Sequence, residues 1–343
     1  MSKQKLAELR KSVAPYEKAD VKSSVFQILN TFPPFFLLWF LAYQSLSISI
    51  WLTLALCVAA SGFVVRIFII FHDCTHGSFL KSKRTNNIIG NISGIITMFP
   101  YEKWKNEHAI HHATSSNLDK RGIGDIWVMT SDEYVAASFW RRLSYRIYRT
   151  PLVMFGIGPI YLFLVVNRKN RKSARKKEKW NLYFTNISLI VLYALLIWAI
   201  GWQAFLIVQG PILFISGAIG IWLFYVQHQF EDSYFVDGDK WDYVRAAVDG
   251  SSYYKLPKVL QWITGNIGFH HVHHLSPRVP NYKLEEVHES TLPLQQASTI
   301  TLGTSLQSIH FRLYDEKKKT FVGFKKVKPL LLKKKNMKLS RSL

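Results

Sequence analysis

Residues 48–76 read ISIWLTLALCVAASGFVVRIFIIFHDCTH, and the fold turns on them. The apolar part, Ile48 to Phe71, exceeds the roughly 20 residues a helix needs to cross a bilayer. Its single charge is Arg66, near the end. His72 and His76 follow at once, four apart, so a helix that simply continues aims both imidazoles the same way. A membrane helix ending in two convergent metal-ligand side chains sets the search for the others.

Three more stretches are long enough to span: Val25 to Tyr43, Leu182 to Ile200 and Phe205 to Val226. Gln44 to Leu46 joins the first to the second, and Gly201 to Ala204 joins the third to the fourth; such short connections make antiparallel helical hairpins. Neither carries Lys or Arg, whereas Arg168 to Lys179 (RKNRKSARKKEK) carries eight. The positive-inside rule then puts the hairpin tips outside and everything else, both termini included, in the cytosol. Ile88 to Pro100 and Pro151 to Val166 are shorter. Were either to span, it would separate the histidines or expel the basic stretch, so both are read as interfacial or re-entrant.

The expected architecture is an all-α integral membrane protein of four transmembrane helices in two hairpins, with interfacial helices and a cytosolic helical cap. Residues 1–24 form a cytosolic N-terminal segment, 25–290 the main domain and 291–343 a basic C-terminal segment. The N-terminal MSKQKLAELRKSVAPYEKAD lacks an apolar signal region, so no cleavage is expected. The 343 residues are 49% hydrophobic and include 11 Trp, 16 Tyr and 23 Phe, which suits a lipid interface. A formal charge of +22 first suggests nucleic acid, but the basic residues sit in flanks and tails without a nucleic-acid-binding motif, so that partner is excluded. From Lys325 onward the chain is basic, read either as a solvated tail or as a segment drawn to anionic lipid. Cys57 and Cys74 give no disulfide framework, and Cys57 is expected in the core. The Gly90–Gly94 spacing is expected to be incidental.

Twelve histidines are present and most are clustered. Beyond HDCTH there are His108, His111 and His112 in HAIHH, His228 in VQHQFED, and His270, His271, His273 and His274 in HHVHH. Twelve histidines placed at random yield an HxxHH triplet roughly 0.015 times in a chain of this length, a low false-positive rate. Imidazole suits iron, zinc, copper or nickel, and eight or nine ligands exceed what one ion takes, so the count implies two metals. His271 lies off the shared face, and His288 and His310 stand isolated in sequence. Asp73, Glu107, Asp125 and Asn266 are candidates to orient the imidazoles. Arg66 is expected to snorkel to the interface, or else to pair with Asp73 or contact a lipid head group.

These boxes, together with NIIGNISGIITMFPYEKWKNEHAIHHA, GDIW, VQHQFED and GNIGFHHVHHLSPRVPNY, resemble the membrane fatty acid desaturases over about residues 50 to 290. The nearest group is the bacterial acyl-lipid desaturases, which share features with plant oleate desaturases. The resemblance implies two iron ions, O2 as co-substrate and a cis double bond formed in a lipid acyl chain. It implies a cell-membrane protein with a cytosolic site. Its ligands would be His72 and His76, then His108, His111 and His112, then His270, His273 and His274, with His228 matching an extra histidine of the acyl-CoA branch. The short HxxxH first box favours a lipid-linked substrate over acyl-CoA. No cytochrome b5-like domain is fused at either end, so electrons would come from a separate ferredoxin, flavodoxin or cytochrome b5-like protein. Two rival readings are a di-iron lipid or alkane hydroxylase with similar boxes and a histidine-rich metal transporter or sensor. Transporter sites lie at the bilayer midplane on broken helices, whereas no histidine here falls inside a span.

Overall fold

Inside a bilayer the backbone must satisfy its own N–H and C=O groups, and the apolar stretches do so as helices. The computed structural model describes residues 3–332. Four helices in it are long and apolar enough to cross a membrane: Val21–Ser47, Ile50–His76, Lys176–Ile200 and Trp202–His228. Each matches an expected span and overruns it by several residues, because the helix persists through Lys176 to Lys179 and through His72, His76 and His228 after hydropathy has ended. The first span is broken. Val21–Leu29 stops at Asn30, and Phe32–Gln44 begins with Pro33 and Pro34, whose missing N–H groups interrupt the ladder.

The second span is central, with 56% of its apolar window buried against 11% for the third. Small residues on it let the fourth span approach closely, as membrane helix pairs require. Cys57 donates to the carbonyl of Val208 at 3.5 Å and Ser61 to that of Ile212 at 3.2 Å. Cys57 is fully buried, as a small core residue should be.

Neither shorter apolar run is a straight span. Lys83–Ile96 is a 14-residue helix. Its Gly90 and Gly94 are packing positions after all, since a Cβ on Gly90 would overlap the Tyr101 ring and one on Gly94 would crowd Phe71 and the carbonyl of Phe99. The second run is bent by 62° from the preceding helix, Phe139–Tyr148, and has a π-helical turn at Leu152–Ile157 ahead of Pro159. Length and composition alone leave this bent pair as a broken span or a re-entrant loop.

The cap is tied to the spans from several sides. Lys3–Val13 places Leu9 and Val13 in one buried cluster with Val272, Leu275 and Val287, beneath the third histidine box. Beyond residue 290 the described chain is folded. β1 (Tyr253–Lys255) pairs in parallel with β2 (Thr299–Thr301), and β3 (Leu313–Asp315) pairs antiparallel with β4 (Thr320–Val322). Val327, in the stretch read as a tail, is buried with Met129, Tyr134, Tyr145 and Leu313. Residues 333–343 of that stretch lie outside the described residues.

Candidate metal centre

The histidines arrive on four helix segments. His72 and His76 occupy the last turn of the second span. His108, His111 and His112 lie on Tyr101–Thr114, whose N-terminus is held by Asn181 of the third span accepting from the Glu102 N–H at 2.9 Å. His228 ends the fourth span. His270, His273 and His274 fall on the short helix His270–Leu275, fixed by the Tyr243 hydroxyl donating to the carbonyl of His274 at 2.8 Å.

These side chains form two groups. His72, His76, His108, His112 and His273 offer ligand atoms all within 4.8 Å of one another, and His111, His228 and His274 form a second such set. The Nε2 of His270 lies 3.0 Å from that of His228, adding a fourth imidazole to the smaller group. All nine positions expected from sequence therefore come together, as five and four. All are buried except His76, which is half-buried.

Two features fit these groups to metal. The Nε2 atoms of His76, His111 and His274 are buried with no hydrogen-bond partner in the protein, a cost that a bound cation removes. The Nε2–Nε2 separations are 3.0 Å for His72–His108, 3.1 Å for His108–His112 and 3.0 Å for His112–His273. Two nitrogens about 2.1 Å from one ion stand about 3.0 Å apart at a right angle and about 3.4 Å apart at a tetrahedral one. These spacings are ones that imidazoles sharing a single ion can adopt. Burial first, then mutual repulsion, holds His108, His112, His270, His273 and His274 well below the ordinary imidazole pKa. They are neutral at pH 7, the form that binds metal.

Orientation comes from the other ring nitrogen. Asp73 Oδ1 meets His72 Nδ1 at 3.0 Å, while its Oδ2 accepts from Asn281 N at 2.6 Å and Asn281 Nδ2 at 2.8 Å. Asp125 Oδ1 meets His111 Nδ1 at 2.6 Å. The carbonyl of Gly250 does the same for His228 at 3.2 Å. Asp125 is held against the HAIHH helix by Gly124, which has φ +77° and where a Cβ would lie 2.9 Å from the Glu107 carbonyl and 3.1 Å from His111 Cβ; only glycine adopts this turn cheaply.

Two other candidates touch no imidazole. Glu107 pairs with Arg171 at 3.0 Å. Asn266 donates to the carbonyl of Asn281 at 3.2 Å and so stands one residue removed from Asp73. Arg66 neither snorkels nor meets Asp73 or the membrane surface. It is 5% exposed, stacks 4.0 Å from the Trp262 ring centroid, and donates to the Trp262 carbonyl, to Thr31 Oγ1 at 3.1 Å and to Asn30 Oδ1 at 3.4 Å. Its partners come from the proline-induced break in the first span, which supplies polar groups inside an apolar bundle.

His271 stands apart from both groups, with Nε2 3.0 Å from His288 Nδ1. His288 is therefore not isolated, but half-buried beside Tyr253 and Phe269. His310 is exposed. Sequence reasoning missed Gly250, Asn281 and Trp104. Trp104 stacks on His108 with centroids 4.1 Å apart, and its one available signal was the i, i+4 spacing from that histidine.

The chain is similar to known proteins over most of its length. The sequence profile described as "Fatty acid desaturase" matches residues 49–303. A "Fatty acid desaturase" of Bacillus subtilis is 61% identical over 324 residues, covering 94% of this chain and 92% of that one. The "sn-1 acyl-lipid omega-3 desaturase (ferredoxin)" of Synechocystis is 30% identical over 245 residues, 66% of this chain and 64% of its own. The chloroplastic "Omega-6 fatty acid desaturase" of Arabidopsis thaliana is 28% identical over 256 residues, 70% of this chain and 53% of its own.

Proposed function

We propose, from the premise that this chain belongs to the fatty acid desaturase family, that it uses two histidine-held iron ions and O2 to place a cis double bond in the acyl chain of a membrane lipid. Acyl-lipid desaturation, an oxidoreductase reaction, follows from the family and from the acyl-lipid desaturases among its relatives. The observation that carries the metal reading is the convergence of nine imidazoles, five and four, at the ends of two membrane spans. The ligand set is His72, His76, His108, His112 and His273 for one ion, and His111, His228, His270 and His274 for the other.

An unactivated methylene offers no acidic proton, so side-chain acid–base chemistry cannot attack it. The iron pair, when bound, supplies the O2-dependent oxidation that removes one hydrogen from each of two adjacent carbons, with O2, two electrons and two protons leaving as water. The protein's part is to hold the imidazoles neutral and aimed. Asp73, Asp125 and the Gly250 carbonyl fix three of the rings from behind. Burial of the box helices keeps bulk water from the site. His228 at the end of the fourth span sets the metals where a chain lying in the bilayer reaches them.

The short HxxxH first box and the acyl-lipid relatives support a lipid-linked substrate. The eight basic residues from Arg168 to Lys179 support a cytosolic site with both termini on that side of the cell membrane. One of them, Arg171, bridges Glu107 and Glu178 and so ties the basic stretch to the HAIHH helix. Electrons would come from a separate carrier; ferredoxin, flavodoxin and a cytochrome b5-like protein are the candidates, and a basic cytosolic face favours an acidic one.

The test is the fatty-acid profile, by gas chromatography and mass spectrometry, of a bacterium lacking desaturases that expresses this chain with a supplied ferredoxin system. A His111→Ala variant serves as control. New cis-unsaturated chains absent from the control are expected. Hydroxylated chains instead would overturn desaturation in favour of hydroxylation.

A further inference from the structure

A cleft of about 600 Å³ opens beside the bent segment and the C-terminal lobe. Arg146, Arg312, Lys325 and Lys326 line it, with His310 and Thr150, and no carboxylate does. Among the described residues none of the four cations takes part in an ion pair. The Arg146 guanidinium is held by the Tyr134 hydroxyl and lies 5.2 Å from the Phe324 ring centroid. Arg312 directly precedes β3, its main-chain N–H donating to the carbonyl of Val322 at 3.0 Å. Its burial, with the Arg149 charge nearby, holds its pKa below the ordinary guanidinium value. Positive charge is thus gathered here by the fold and left uncompensated, in a space large enough for a polar head group.

The depth of the cleft is fixed by the fourth span. Tyr225, three residues before that span ends, donates to the carbonyls of Ser308 at 2.6 Å and Phe311 at 3.3 Å. The cleft wall at His310 and Arg312 therefore lies level with the end of the span. The segments that line it also carry exposed apolar side chains: Phe139, Trp140 and Ile147 on the Arg146 helix, Leu152 two residues after Thr150, and Leu306 four before His310, each at least 50% exposed. Apolar groups beside a basic cleft at this level belong to a lipid interface rather than to a site for a soluble acidic protein. Arginine forks match phosphate oxygens pairwise.

We propose that this cleft is a phosphate site filled from the membrane by the head group of an anionic phospholipid. It requires no catalytic role and is read without turnover, so its failure leaves the desaturase reading untouched.

Native mass spectrometry of the purified full chain, with phosphatidylglycerol or phosphatidylcholine added, tests it. The wild type should retain phosphatidylglycerol in preference to phosphatidylcholine. The Lys325→Gln/Lys326→Gln variant, altered only at exposed side chains, should retain roughly tenfold less phosphatidylglycerol, as loss of charge-assisted hydrogen bonds implies. Arg312→Gln should do the same, with unchanged thermal unfolding showing that it folds. Lys81→Gln/Arg84→Gln removes equal charge from exposed positions elsewhere, at the start of the Lys83–Ile96 helix, and should leave retention intact. Equal retention by wild type and both cleft variants would overturn the proposal. Full displacement of phosphatidylglycerol by an equal concentration of inorganic phosphate would overturn the membrane source.

Discussion

Replacing Asp125 with Asn should loosen one metal and spare the other. Asp125 Oδ1 lies 2.6 Å from His111 Nδ1, and its other oxygen accepts from the Gly122 N–H at 3.3 Å. His111 belongs to the smaller group, and no residue of the larger group touches Asp125. The substitution keeps the shape but removes the negative charge that fixes the ring. A hydrogen bond to a charged group contributes about 1.5–3 kcal/mol, and loss of such an orienting partner costs roughly 10–100-fold in metal affinity. The Asp125 side chain is 16% exposed, on a loop rather than in the bundle, so folding should survive with little change in Tm. The equivalent change at Asp73 would be harsher, because that buried carboxylate also holds the backbone and side chain of Asn281. The assay is metal content by mass spectrometry after graded dialysis against a chelator. Wild type should hold two ions per chain at chelator concentrations where Asp125→Asn holds one. Equal retention of both ions, or equal loss of both, would refute the reasoning.

Three further outcomes follow from the same geometry. Gly90→Ala drives a methyl group into the Tyr101 ring and should lower stability by about 1–3 kcal/mol, read as a drop in Tm in detergent. Arg66→Lys should not restore the loss caused by Arg66→Ala, because an ammonium lacks the fork that reaches the Trp262 carbonyl, Thr31 and Asn30 together; equal stability of Arg66→Lys and wild type would count against the clamp. Metal-free protein should weaken on acidification. Burial, then its neighbour His288, pushes the His271 pKa from 6.5 down to about 3, so above pH 6.5 it is neutral in both states and neutral for stability. Between those values the unfolded chain binds the extra proton, and stability should fall by about 1.4 kcal/mol per pH unit for such a group. Thermal unfolding across pH 4–7 of wild type and His271→Gln would reveal the difference.

The four spans and all nine clustered histidines were legible in the sequence because both are local signals, one of length and hydropathy, the other of spacing on a helix. Asp125 and Asp73 could be named because each sits near a box. What failed depended on contacts between distant residues. His288 looked isolated until the fold brought it against His271. Arg66 looked ready to snorkel because nothing in the second span reveals that the first breaks at Asn30 and Thr31. Gly250 acts through a backbone carbonyl, which leaves no side-chain signature, and Asn281 reaches Asp73 with both its backbone N–H and its amide across more than 200 residues. The C-terminal lobe was missed because its strands are three residues each and its charge masked the alternation around Leu313 and Val322.

The central claim is that nine histidines hold two irons, and the most direct measurement is the metal content of aerobically purified protein supplied with iron, paired with its Mössbauer spectrum. The account predicts two iron ions per chain, falling to one in His228→Ala. A single ion per chain, or tetrahedral zinc retained in place of supplied iron, would contradict it.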